Sequence, residues 1–157
     1  MLRTDHMVFP VWDAAASLTF YADILGLPLV AAHQGDDWGG KPWLMMIFAL
    51  GDGRELVLVS LRGARPPPPS DLAADVRHYA FSVASADEQA AWIAKLKAAG
   101  VELWEEDHGD QNSVYFADPN GVVLEITTPA SSPTGAPDPN ARAAAERWIA
   151  QFPALTH

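Results

Sequence analysis

The sequence predicts an α+β fold: two βαβββ modules paired into a cupped, mostly antiparallel sheet, followed by a C-terminal helical tail. Three observations predict it. The chain repeats itself, His6, Phe9, Val11, Phe20 and Ile24 being matched 72 positions on by His78, Phe81, Val83, Trp92 and Leu96. The hydrophobic spacing of each half runs strand, helix, then three strands. Late in each half a turn signal leads into an apolar strand, Asp52-Gly53 before Leu56 and Asn120-Gly121 before Leu124. Neither half buries its sheet alone, so the two must pack together.

In order, residues 4–11 read as a strand with Pro10 near its end. Residues 14–25 put Leu18, Tyr21 and Leu25 on one helical face with Phe20 and Ile24 beside them; Asp13 is placed to cap this helix and Gly26 to end it. Residues 27–32 form a short strand, 33–42 a polar Gly-rich loop and 43–50 a strand, and the Asp52-Gly53 turn opens another at 55–60. Residues 62–70, with Pro66–Pro69, are a stiff linker. The pattern then restarts with a strand at 76–83, a helix at 87–99 ended by Gly100, and a short strand at 101–104. A hairpin over 112–126, turning at Asp118-Pro119-Asn120-Gly121, completes it. One domain is therefore expected at 1–128, with modules at 1–65 and 71–128, a linker at 129–139 and a helix at 140–157 capped by Asn140. Trp148, Ile149 and Phe152 make an apolar stripe on that helix, which must be covered by its own domain or by a second copy. A homodimer is expected.

With 157 residues, nearly half of them hydrophobic, the chain has enough apolar surface for a core and argues against disorder. No apolar run reaches a membrane span, and the N-terminus lacks the pattern of a secretion signal. The absence of cysteine excludes disulfides and thiolate chemistry and fits a reducing, cytoplasmic setting. A net charge of −10 without a Lys/Arg cluster argues against nucleic acid, leaving a small molecule or a metal as the expected partner.

Glu125 is the one carboxylate in an otherwise apolar strand, among Val122, Val123, Leu124 and Ile126. Buried there, it must be paired, protonated or bound to a metal. Strand side chains alternate between faces. If Met7, Phe9 and Val11 meet the helix, His6 points away; if Tyr79, Phe81 and Val83 do, so does His78; and Leu124 and Ile126 send Glu125 to that same side. Val114 and Phe116 leave Ser113 and Tyr115 facing it too. Two imidazoles and a carboxylate form a facial donor set with open coordination positions, suited to one divalent metal ion: Fe(II), Mn(II), Zn(II), Ni(II) or Co(II). The repeat counterpart of Glu125 is Val57, which gives three ligands and no fourth. Glu55, two residues earlier on the same face, is an acid/base candidate or an ordinary solvated strand residue. His33 and His108 lie in polar loops and read as surface residues, and Trp38-Gly39-Gly40-Lys41 lacks the strand-turn-helix context of a phosphate loop.

The His6 strand, Phe20-Tyr21 with Leu25-Gly26-Leu27, the His78-Tyr79-Ala80-Phe81 strand, and Tyr115 to Gly121 with Glu125 together resemble the vicinal oxygen chelate superfamily over residues 4–128. That superfamily includes glyoxalase I, extradiol dioxygenases, fosfomycin-resistance proteins and bleomycin-binding proteins. The resemblance implies a divalent metal inside the cup, held by His6, His78 and Glu125, and a small substrate that chelates it through adjacent oxygens. Glyoxalase I-type lyases carry a Glu or Gln ligand where this chain has Val57, which counts against that activity. Extradiol dioxygenases use His, His and Glu with Fe(II), and Tyr115 resembles their active-site tyrosine; their further acid/base histidine has no counterpart legible here. Fosfomycin-type thiol transferases also have three ligands, but the basic residues expected around a phosphonate are sparse. The expectation is a metal-dependent enzyme, dioxygenase-like first with Fe(II) favoured, with Tyr115 and Glu55 as polar groups beside the metal. A glyoxalase-like lyase or isomerase, or a drug- or metabolite-binding protein of the bleomycin-resistance type, is the alternative.

Overall fold

Two four-stranded mixed sheets carry the chain in this computed structural model, which describes residues 3–69, 71–109, 111–128 and 138–151. The first module comprises β1 (His6–Pro10), α1 (Ala14–Leu18) with a wider-wound continuation over Thr19–Ile24, β2 (Leu29–Gly35), β3 (Trp43–Ala49) and β4 (Glu55–Leu61). A 3₁₀ turn at Ala74–Val76 leads into the second: β5 (His78–Ser82), α2 (Ala86–Ala98), β6 (Trp104–Asp107), β7 (Asn112–Ala117) and β8 (Val123–Thr128). The sheet orders are β1-β4-β3-β2 and β5-β8-β7-β6, the same path twice, with the first pair of each parallel and the rest antiparallel.

The register carries the duplication down to single residues. His6 pairs with Glu55 and Val8 with Val57 in the first sheet; His78 pairs with Val123 and Ala80 with Glu125 in the second. Val57 therefore holds the place of Glu125.

Local chemistry explains the helix ends. The Asp13 carboxylate accepts from Ala16 N at 2.9 Å and starts α1. Beyond Leu18 the helix widens, Leu25 N reaching back five residues to Phe20 O at 2.8 Å, and Gly26 stops it at φ +74°. Ser85 caps α2. At its other end Gly100 takes φ +76° and donates to Lys97 O, while Val101 N donates to Leu96 O. That cap consumes the backbone of Val101, so the short strand expected at 101–104 runs instead over Trp104–Asp107. Two other boundaries move. The edge strand β2 continues through His33 and Gln34 to Gly35, because pairing with β3 satisfies its backbone whatever its side chains. The strand expected from residue 76 starts at His78, after the 3₁₀ turn.

One core serves both modules. Phe9, Phe20, Tyr21, Phe48, Leu56, Leu96, Phe116 and Leu124 belong to a single buried cluster, and the Phe9 and Tyr79 rings meet at 4.4 Å across the module boundary. The helix-side faces of the two sheets are thus buried together. The opposite faces of β1 and β5 are open: His6, Val8 and Pro10 on one, His78, Ala80 and Ser82 on the other, are exposed.

The turn at Asp118–Gly121 locks the modules to each other. Asn120 Oδ1 accepts from Trp12 N at 2.7 Å, and its Nδ2 donates to Ser17 Oγ at 2.8 Å. Asp118 Oδ1 accepts from Asn120 N and Val122 N, and Tyr21 OH donates to Asp118 Oδ2 at 3.1 Å. Lys95 Nζ donates to Leu25 O at 2.9 Å, so α2 in turn covers the end of the first helix.

A last helix, α3 (Ala141–Gln151), follows, with Trp148 and Ile149 exposed. Phe152, the remainder of the expected tail and residues 129–137 of the expected linker lie outside the described residues. Among the described residues, no helix is long and apolar enough to cross a membrane.

Two outcomes follow from the turn. Asn120→Ala leaves Trp12 N without its acceptor and Ser17 Oγ without its donor, and is expected to lower stability by about 1–3 kcal/mol in chemical denaturation. Burial above all, and then the negative charge and hydrogen bond of Asp118, hold the Tyr21 phenol far above its ordinary 10.0. The folded protein therefore keeps a proton that the unfolded chain releases, so this contribution is intact below pH 10 and is lost as pH rises beyond it. Tyr21→Phe is expected to flatten the alkaline limb of a stability-against-pH profile.

Candidate metal centre

Strand β8 lies inside its sheet between β5 and β7, and all of its residues are buried. Glu125, in its middle, is 6% exposed. A carboxylate so placed needs a partner for each oxygen. Oε1 accepts from Ser113 Oγ, the neighbour on β7, and Ser113 Oγ lies 3.1 Å from Thr127 Oγ1. Oε2 lies 3.0 Å from His78 Nε2 on β5.

The other imidazole nitrogen decides what that last contact means. His78 Nδ1 lies 2.6 Å from the carbonyl oxygen of Asp75, in the 3₁₀ turn. A carbonyl has no proton to give, so Nδ1 is the donor. A neutral ring then turns its Nε2 lone pair toward a carboxylate. Two acceptors stay at 3.0 Å only if a proton on one of them is shared or both face a common cation. The donor set, one imidazole nitrogen with its tautomer fixed from behind and one carboxylate oxygen, suits a divalent metal ion.

Tyr115 stands beside the pair, opposite Glu125 in the β7–β8 register and 3% exposed. Its ring stacks on Trp104 of β6 at 5.5 Å and 14°, and His78 meets it edge-on at 5.5 Å. Its hydroxyl lies 3.1 Å from His108 Nε2, which in turn lies 3.7 Å from Glu106. Burial first, then the negative charges of Glu125 and Glu106, raise the phenol above its ordinary 10.0, so it stays protonated.

The alternation rule put His78, Glu125, Ser113 and Tyr115 on one face, and the structure brings them together there. His6 lies elsewhere. It sits on the open face of the first sheet, its Nδ1 2.9 Å from Asp5, with Glu55, also exposed, as its strand partner. Among the described residues, no three His, Cys, Asp or Glu side chains gather closely enough to hold a metal. The expectation that both histidines and Glu125 line one bowl within a single chain is corrected on this point. Because the modules pack through their helix faces, the face bearing His6 and the face bearing His78 belong to different sheets.

His108 is exposed in a loop, as expected, but its contact with the Tyr115 hydroxyl was not legible in the sequence. With β6 at Trp104–Asp107, it becomes the first residue of the β6–β7 loop, and His108 N bonded to Gln111 O folds it back toward Tyr115.

Residues 3–126 match the family described as the Glyoxalase/Bleomycin resistance protein/Dioxygenase superfamily. The chain belongs to that superfamily. Among its relatives, the glutathione transferase FosA of Serratia marcescens is 31% identical over 122 residues, covering 78% of this chain and 77% of FosA. The metallothiol transferase FosB of Staphylococcus epidermidis is 28% identical, covering 79% of this chain and 80% of FosB. Among solved structures, oxidase ChaP-H2 superposes with a TM-score of 0.56 at 28% identity, covering 86% of this chain and 98% of that one. The superfamily fold carries the polar cluster of β5, β7 and β8 on the face away from its helices.

Proposed function

We propose that this chain is a divalent-metal-dependent enzyme acting as a homodimer, its metal held by His78 and Glu125 of one copy and His6 of a second. The observation that carries this reading is the His78–Glu125 contact, with Nδ1 already committed to Asp75 and Nε2 facing a carboxylate oxygen at 3.0 Å. The pseudo-symmetric strand β1 supports the rest. It presents His6 on a face that the chain leaves uncovered, with Val8 beside it 49% exposed. Apposing the exposed side of β1 to the exposed side of β5 in a second copy would complete a three-ligand set and cover apolar surface in one step. Glu55, next to His6 in register, enters the same site.

A bound divalent ion supplies Lewis acidity and a template for adjacent substrate oxygens; Fe(II) is favoured, with Zn(II), Mn(II), Ni(II) or Co(II) as other fits. The protein's own groups handle the proton. The Tyr115 hydroxyl, held by Trp104 and kept protonated, donates to a substrate oxygen or passes its proton to His108 Nε2. This pair is the reason to rank oxygenation of a catechol-like small molecule first. A second reading, transfer of a thiol to a small electrophile, has the kinship to FosA and FosB in its favour. Against it stand the carboxylates Glu106 and Asp75 near the phenol, unfavourable for a dianionic phosphonate. The apolar Val57 in place of a fourth ligand weighs against lyase or isomerase chemistry. The absence of cysteine fits a cytoplasmic enzyme.

Complementation tests the shared site. Glu125→Ala and His6→Ala chains, each alone, are expected to lose the metal measured by elemental analysis. Heterodimers of the two, isolated with two affinity tags, regain about half the parental content, because one site in each pair recovers all three ligands. Heterodimers as metal-free as the single variants would overturn the arrangement. Oxygen uptake with a catechol, set against thiol consumption with fosfomycin, separates the two chemistries. Tyr115→Phe is expected to lower kcat by about 10²–10⁴-fold while metal content stays unchanged.

A further inference from the structure

The two modules differ most where they should be most alike. Through the registers, Ser113, Tyr115, Glu125 and Thr127 on β7 and β8 occupy the places of Met45, Ile47, Val57 and Val59 on β3 and β4. Four neighbouring positions on one face are polar in the second module and apolar in the first. The reading above uses Glu125 and Tyr115; the two hydroxyls are left over. Both are buried, and the first module, which follows the same path, has no counterpart of either hydroxyl.

With Glu125 ionised, the Ser113 proton has one destination. An ionised carboxylate only accepts, so Ser113 must spend its single proton on Glu125 Oε1. Thr127 Oγ1 lies 3.1 Å from the Ser113 oxygen and 3.4 Å from Asn112 O, and with Ser113 committed to Glu125 the nearer oxygen is open to accept its proton. The chain Thr127, Ser113, Glu125 ends on the carboxylate oxygen turned away from His78.

We infer that Ser113 is a positioning residue for the Glu125 ligand: it occupies Oε1, so that Glu125 offers the metal Oε2 alone, beside His78 Nε2, while Thr127 orients Ser113. This inference rests on the metal reading proposed above and specifies the mode of ligation. Without the hydroxyl, Oε1 would be left unpaired in a buried site, and the carboxylate would rotate away from its present aim. Hydrogen bonds to metal ligands typically matter by 10–100-fold in metal affinity.

Mn(II) titration of the full-length protein, followed by the electron paramagnetic resonance signal of the free ion, tests this. Ser113→Ala is expected to bind Mn(II) about 10–100-fold more weakly than the parent while circular dichroism and oligomeric state stay unchanged. Ser113→Thr restores the affinity; Ser113→Val, equal to it in volume but lacking the hydroxyl, does not. The Thr/Val pair decides the matter if the Ala variant fails to fold. Folded Ala and Val variants that bind Mn(II) as tightly as the parent overturn the inference and leave the metal reading standing. Equal weakening by Thr and Val beside an unaffected Ala variant makes the effect one of bulk and overturns it too. A parent protein that takes up no Mn(II) overturns both.

Discussion

A carboxylate held in the middle of a fully covered strand has to be met from every side, and most of the second module's polar chemistry follows from that requirement. Removing Glu125 from water costs several kcal/mol unless its oxygens are paired. Ser113 answers one oxygen and His78 the other, and the Asp75 carbonyl fixes the histidine from behind. The same negative charge helps to keep the Tyr115 phenol protonated. Where the first module has Val57, its neighbours are Met45, Ile47 and Val59, and the face is simply apolar. Duplication supplied two equal scaffolds; one buried charge gave one of them a polar cluster.

The first module still governs that site from a distance. Through Asn120 and Asp118, the turn that launches β8 is bonded to the start of α1 and to Tyr21, and α2 closes over the end of the first helix through Lys95. The strand carrying Glu125 is therefore anchored at its beginning by the other half of the chain. A donor set on strands tied in this way keeps its geometry better than one on loops. His108 is the exception, a loop residue positioned by the Tyr115 hydroxyl and a tight turn.

The common core also decides which surfaces remain for partners. Phe9, Tyr79, Phe20 and Phe116 fill the space between the modules from the helix side. What is left exposed on each sheet, among the described residues, is the outer side of its edge strand, β1 with His6 and β5 with His78. His78 with Glu125 on one side and His6 on the other are the two parts that the proposed dimer would join around one metal.

The amino-acid sequence by itself determined the strand-helix-strand order, the caps at Asp13, Gly26 and Gly100, the turn at Asp118–Gly121, and the side of its own sheet on which each ionisable residue lies. These are local properties: a period of two, a period of 3.6 and a positive φ act over a few residues at a time. The 72-residue repeat extended that legibility to topology, because both halves had to follow one path. Tertiary structure alone decided which sheet faces which. Alternation says that His6 and His78 both point away from the helices, but not that the two sheets share their helix side and separate their histidines. It also decided that the cap on α2 pushes β6 along and carries His108 to Tyr115. Both are outcomes of packing and of backbone hydrogen bonds competing for the same groups, and neither competition is visible until the chain is closed.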